Sequence, residues 1–104
     1  MSSDIIKQGG ISFVRPARAP RMDATTVINL KPDKGKFVIR APGGKIHLVP
    51  SQAAEMQTGK RELGRHYITT LRVTDECTVT CEGEASVTLS PGFYYVNGAE
   101  GGAR

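Results

Sequence analysis

Cys77 and Cys81 are the only cysteines in the 104-residue chain, four positions apart in the acid-flanked stretch DECTVTCEGE (75–84). Thiols at short spacing can form a disulfide, half of a metal site or a redox pair. The interior of CTVTC decides between these, because Thr78, Val79 and Thr80 are all β-branched and favour a strand over a helix. Strand residues advance ~3.3 Å each, which puts the two thiols ~13 Å apart on one face. A disulfide needs Cα atoms within ~7 Å, and the redox spacing is C-x-x-C. The sequence therefore predicts Cys77, Val79 and Cys81 as small apolar groups facing a core.

His47 and His66 would complete a set of four zinc ligands, but successive spacings of 19, 11 and 4 match no finger or ribbon. Both histidines are expected on the surface, His47 because it shares a face with Lys45 and His66 because it stands beside Arg65. APGGKI and QTGKRE contain a Gly-Lys pair but lack the upstream glycine and the following Ser or Thr of a phosphate loop. The G-x-S-x-G elbow is absent, and the few carboxylates fall mostly in predicted turns. No catalytic, cofactor-binding or metal-binding residue is assigned, and the chain is not expected to be an enzyme.

These residues must be positioned by a small scaffold. A chain of 104 residues makes one domain that removes roughly 60–65% of its unfolded surface on folding. Apolar residues are 38%, aromatic residues 6%, and Trp is absent, so the core is thin and stability gained from a partner or from copies of the chain is expected. No apolar run reaches the ~18 residues of a membrane-spanning helix. MSSDIIKQGGISFV (1–14) lacks the apolar stretch and cleavage site of a signal peptide. The expectation is a chain made and kept inside a cell, away from membranes, with reduced thiols.

Residues 1–24 read as an extended basic arm. MSSDIIKQGG is mostly polar, Gly9-Gly10 suggests a flexible break, ISFV (11–14) is a short apolar patch, and RPARAPR (15–21) combines two prolines with three arginines. Residues 25–97 read as a β-domain with strands at 25–30, 36–40, 45–49, 65–73, 76–81, 85–90 and 93–97. PSQAAEMQTGKRELG (50–64) holds the one expected helix, about two turns ending at Gly59. Residues 98–104 are expected to be a flexible tail. The predicted fold is all-β, a small antiparallel sandwich or barrel of about six to eight short strands, with one short helix and the N-terminal arm.

Charge is distributed unevenly. Residues 1–74 carry 13 Lys and Arg against 5 Asp and Glu, whereas residues 75–104 carry one Arg against five acids. A basic body suits a polyanion, or an acidic surface on another protein chain. Single-stranded nucleic acid is the alternative partner, as for a small β-barrel with basic loops, but that mode stacks bases on aromatics. Here Tyr67, Phe93, Tyr94 and Tyr95 lie apart from the lysine-rich 31–45 segment.

In overall build, a compact β-domain with a basic arm and an acidic end, the chain resembles the small decoration or cement proteins of tailed bacteriophage heads. That resemblance implies a non-enzymatic virion protein, assembled in the host cytoplasm, which reinforces a protein shell. It also implies capsid subunits as partners and a homo-oligomer, by analogy a trimer. On this reading Ile11, Phe13 and Val14 anchor the arm in the partner, while Arg15, Arg18 and Arg21 pair with its acidic surface. Glu82 and Glu84 meet basic loops of a neighbouring copy.

Overall fold

The computed structural model describes residues 5–18, 21–62 and 64–98. Ten strands build two antiparallel sheets: β1 (Ile5–Gln8), β2 (Ile11–Val14), β3 (Ile28–Asn29), β4 (Lys36–Arg40), β5 (Ile46–Pro50), β6 (Ala54–Lys60), β7 (Tyr67–Val73), β8 (Cys77–Cys81), β9 (Glu84–Leu89) and β10 (Gly92–Asn97). The six-stranded sheet runs β1-β2-β10-β7-β6-β3 and the four-stranded sheet β4-β5-β8-β9. Stacked face to face, they enclose one core. The all-β sandwich is as expected, with ten strands rather than six to eight.

Two expectations are overturned. No helix is present among the described residues, and the 50–64 segment holds β6 instead. β6 pairs with β7 along its full length, from Ala54 opposite Val73 to Lys60 opposite Tyr67. Ala54, Met56 and Thr58 are buried, so the segment carries a two-residue period beneath its helix-favouring composition. Seven consecutive cross-strand pairs outweigh a propensity worth a few tenths of a kcal/mol per residue.

The second is the arm. Within residues 1–24, Ile5–Gln8 and Ile11–Val14 form a hairpin, and β2 pairs with β10 through Val14 opposite Tyr95 and Phe13 opposite Val96. Gly9 and Gly10 have φ of +46° and +92°. This is the geometry of a tight two-residue hairpin turn, which glycine adopts without strain. What read as a flexible break is the turn that sets the register. Residues 1–4 and 19–20 of the expected arm and residues 99–104 of the expected tail lie outside the described residues.

The core joins Ile11, Phe13, Met56, Leu71, Val73, Tyr94 and Val96 from one sheet to Phe37, Ile39, Val49, Cys77, Val79 and Leu89 from the other. β8 alternates cleanly, with Cys77, Val79 and Cys81 inside and Thr78 and Thr80 outside, as its sequence predicts. Phe13 and Leu71 are fully buried, a contribution of about 1.5–3 kcal/mol each.

Candidate interaction surfaces

The residues expected to bind a partner do not converge. Ile11 and Phe13 are 1% and 0% exposed, so they fill this chain's own core and cannot anchor it elsewhere. Val14 lies half-buried on the outer face of the six-stranded sheet, between Ile5 and Tyr95. The Arg15 Nη2 donates to the Ser90 and Pro91 carbonyls at 3.2 and 3.0 Å and to the Tyr94 hydroxyl at 2.6 Å. Its guanidinium also lies 4.9 Å from the centre of the Tyr94 ring. It clamps β2 to the start of β10 instead of reaching outward. Arg18 is exposed, and Arg21 is exposed with Glu62 at 3.8 Å. Glu82 is exposed in the β8–β9 turn, while Glu84 opens β9 and holds Lys45 at 2.7 Å. That contact lowers the Glu84 pKa and raises that of Lys45.

His47 was expected on the surface and is instead 0% exposed. The alternation in β5 is real, but its inward residues are His47 and Val49, leaving Ile46 exposed and Leu48 half-buried. Gln8, 4% exposed, makes this burial tolerable. Its Nε2 donates to the Val79 and Ala85 carbonyls, both at 3.0 Å, which leaves Oε1 to accept from His47 Nδ1 at 2.6 Å. The imidazole is thereby fixed with its proton on Nδ1, and its Nε2 lone pair faces the Cys81 Sγ at 3.8 Å. Burial holds the imidazole below its usual pKa, opposed by the Gly9 backbone and Glu84 and assisted by Lys45. Burial likewise pushes the Cys77 thiol up. Both cysteines are free. Among the described residues no three or more His, Cys, Asp or Glu side chains are placed to hold a metal ion.

Two outer faces remain. On the four-stranded sheet, Val38 and Ile46 are 38% and 39% exposed. Val38 stands opposite Leu48, which stands opposite Thr80. A hollow of about 590 Å³ beside this row is lined by Lys45, Ile46, Leu48, Thr80 and Glu82. Beyond Lys36, β4 pairs on one side only.

On the six-stranded sheet, register aligns Ile5, Val14, Tyr95, Thr70, Gln57 and Asn29 across all six strands. Phe93, Arg72 and Glu55 form the next row. The Phe93 and Tyr95 rings meet edge to face at 6.5 Å, and the Arg61 guanidinium lies 4.7 Å over the centre of Tyr95. A groove of about 460 Å³ runs beside Phe93, lined also by Glu55, Gln57, Thr70 and Arg72. Aromatic and basic residues that are far apart in the sequence are thus adjacent in the fold. No local signal marks this, since Arg61 and Tyr95 meet only through the β6–β7–β10 pairing.

No protein-family model, curated protein or solved structure matches the chain. Among the described residues no helix is long and apolar enough to cross a membrane.

Proposed function

We propose that the chain is a non-enzymatic structural protein that reinforces a larger protein shell, as the capsid decoration proteins of tailed bacteriophages do. Its partners on this reading are shell subunits and further copies of itself. The free edge of the four-stranded sheet supports this reading. Asp33 takes the Lys36 backbone groups at the start of β4, and beyond Lys36 the strand pairs on one side only, with the exposed Val38 and Ile46 on the adjoining face. Unpaired strand edges join other chains by strand addition, and alternate side chains supply the specificity. Lys36 and Arg40 end the strand, which discourages unselective edge pairing and favours an acidic partner. Attachment passes from the N-terminal segment, which the chain uses in its own sheet, to β4.

The test is density-gradient sedimentation of extracts from cells that naturally produce the chain. The wild type is expected in the fast-sedimenting particle fraction. Val38→Glu/Ile46→Glu, checked for folding by circular dichroism, is expected to remain at the top. Wild-type protein found entirely as free monomer would overturn the proposal.

A further inference from the structure

We infer that the outer face of the six-stranded sheet is a binding surface for single-stranded nucleic acid. This site is distinct from the β4 edge and does not depend on the shell reading. Unpaired bases need flat apolar surfaces to stack on, with cations nearby for the phosphates. Both are present. Phe93 and Tyr95 project from β10 on this face, half-exposed, and their edge-to-face packing at 6.5 Å holds the two rings in fixed orientations. The Arg61 guanidinium, 4.7 Å over Tyr95, extends the platform with a planar cation, itself a surface on which bases stack. Arg72 stands opposite Phe93 in the register, and Lys7 projects from the same face, alternating with the buried Gln8.

The charges suit a polyanion. Lys7, Arg61 and Arg72 stand on this face, with Glu55 directly opposite Arg72. Among the described residues the ion pairs are Arg21–Glu62 and Lys45–Glu84, so the three cations of this face are not neutralised by contact. Beside Phe93 the groove of about 460 Å³ is lined by Gln57, whose amide can hydrogen-bond a base edge, whereas the buried Thr70 beneath it turns its hydroxyl to the Gln57 carbonyl at 3.4 Å. Its volume lies in the range of small-molecule sites. Gln57 Nε2 is held by the Asn29 Oδ1 at 2.7 Å, so the Gln57 Oε1 is the group offered to a base amino group. A duplex hides its base faces, and a platform of this kind therefore selects a single strand.

The test uses a fluorescein-labelled oligothymidylate of about 20 nucleotides and measures anisotropy over a salt series. Wild-type affinity is expected to fall linearly on a log–log plot against salt, as counterions are released from the phosphates. Arg61→Gln/Arg72→Gln should flatten that slope by about 1.4, at ~0.7 per single-strand phosphate contact. Phe93→Leu and Tyr95→Leu should each weaken binding about tenfold, as expected for the loss of one base stack. Lys31→Ala/Lys34→Ala/Lys36→Ala, in the basic segment leading into β4, should change affinity less than twofold. Unchanged urea midpoints would show that the face variants remain folded. Three results would overturn the inference: no wild-type binding at low salt, equal affinity for duplex DNA without any effect of Tyr95→Leu, or loss of binding confined to the lysine variant.

Discussion

The Nδ1–H of His47 points at the Oε1 of Gln8, 2.6 Å away, and through that contact the N-terminal hairpin is fastened to the opposite sheet. The same Gln8 amide reaches β8 and β9 through the Val79 and Ala85 carbonyls. One side chain from the six-stranded sheet thus satisfies three polar groups of the four-stranded one, the His47 ring and the Val79 carbonyl in the dry interior and the Ala85 carbonyl at its margin.

Replacing Gln8 with Leu leaves one donor and two acceptors without partners. The expected loss is roughly 2–6 kcal/mol, since each of the two dry, unpaired polar groups costs about 1–3 kcal/mol and the Ala85 carbonyl, only partly buried, adds little. Urea denaturation followed by far-UV circular dichroism checks this. Gln8→Leu/His47→Leu should recover part of the loss, because removing both members of a buried pair costs less than removing one.

Burial lowers the His47 pKa from its usual 6.5, so the unfolded chain takes up a proton at a higher pH than the folded one. The stability this provides is complete above about 6.5, declines as the pH falls below that value, and stops declining below the folded-state pKa. Asp23 and Glu84, both with lowered pKa values, lose their contributions only near and below the ordinary carboxylate range. The interval between pH 6.5 and 5 therefore isolates the imidazole. Urea midpoints at pH 7.5 and 5.5 should differ in the wild type and coincide in His47→Asn, where the amide keeps a donor near Gln8 but does not titrate.

Removing residues 1–14 should abolish cooperative unfolding. The truncation strips Ile11 and Phe13 from the core and leaves β10 without β2. Phe13→Ala alone should cost about 3–5 kcal/mol, a large part of the 5–15 kcal/mol typical of a domain. A truncated chain with an intact sigmoidal melt would show that the hairpin is an accessory after all.

Arg15→Met should destabilise by about 1–3 kcal/mol, as the Tyr94 hydroxyl and the Ser90 and Pro91 carbonyls lose a charged donor. Arg15→Lys should restore only part of this, because a single ammonium cannot also stack flat on Tyr94. Gly92→Ala should be harmful for a related reason. Gly92 has φ of +150°, and an added Cβ would come within 2.9 Å of the Arg15 Nη2. Denaturant midpoints of the three variants check both points.

Most of the sheet was legible because a half-buried strand writes its period into the sequence. KFVIR occupies β4 as predicted, and CTVTC shows its predicted inward row. The failures have physical causes. Ala54–Gln57 favours a helix locally but is captured by β7. His47 and Gln8 are 39 residues apart, and a buried imidazole is intelligible only once its partner is known. His47 was expected outside with Lys45, and Ile46 and Leu48 face outward instead, because hydrophobicity alone cannot say which of two alternating faces is enclosed. The Arg61–Tyr95 contact joins residues 34 positions apart and follows from strand order, which local patterns do not encode.

β10 lies between β2 and β7, and this placement orders events in time. During synthesis β2 has no neighbour on its inner side until residues 92–97 have emerged, some eighty positions later. The hairpin must wait, with Ile11 and Phe13 unsheltered, until β10 has been made. Loops that long close slowly, so β10 is the strand that closes the six-stranded sheet around the hairpin, and the nascent chain is exposed to premature association until it arrives.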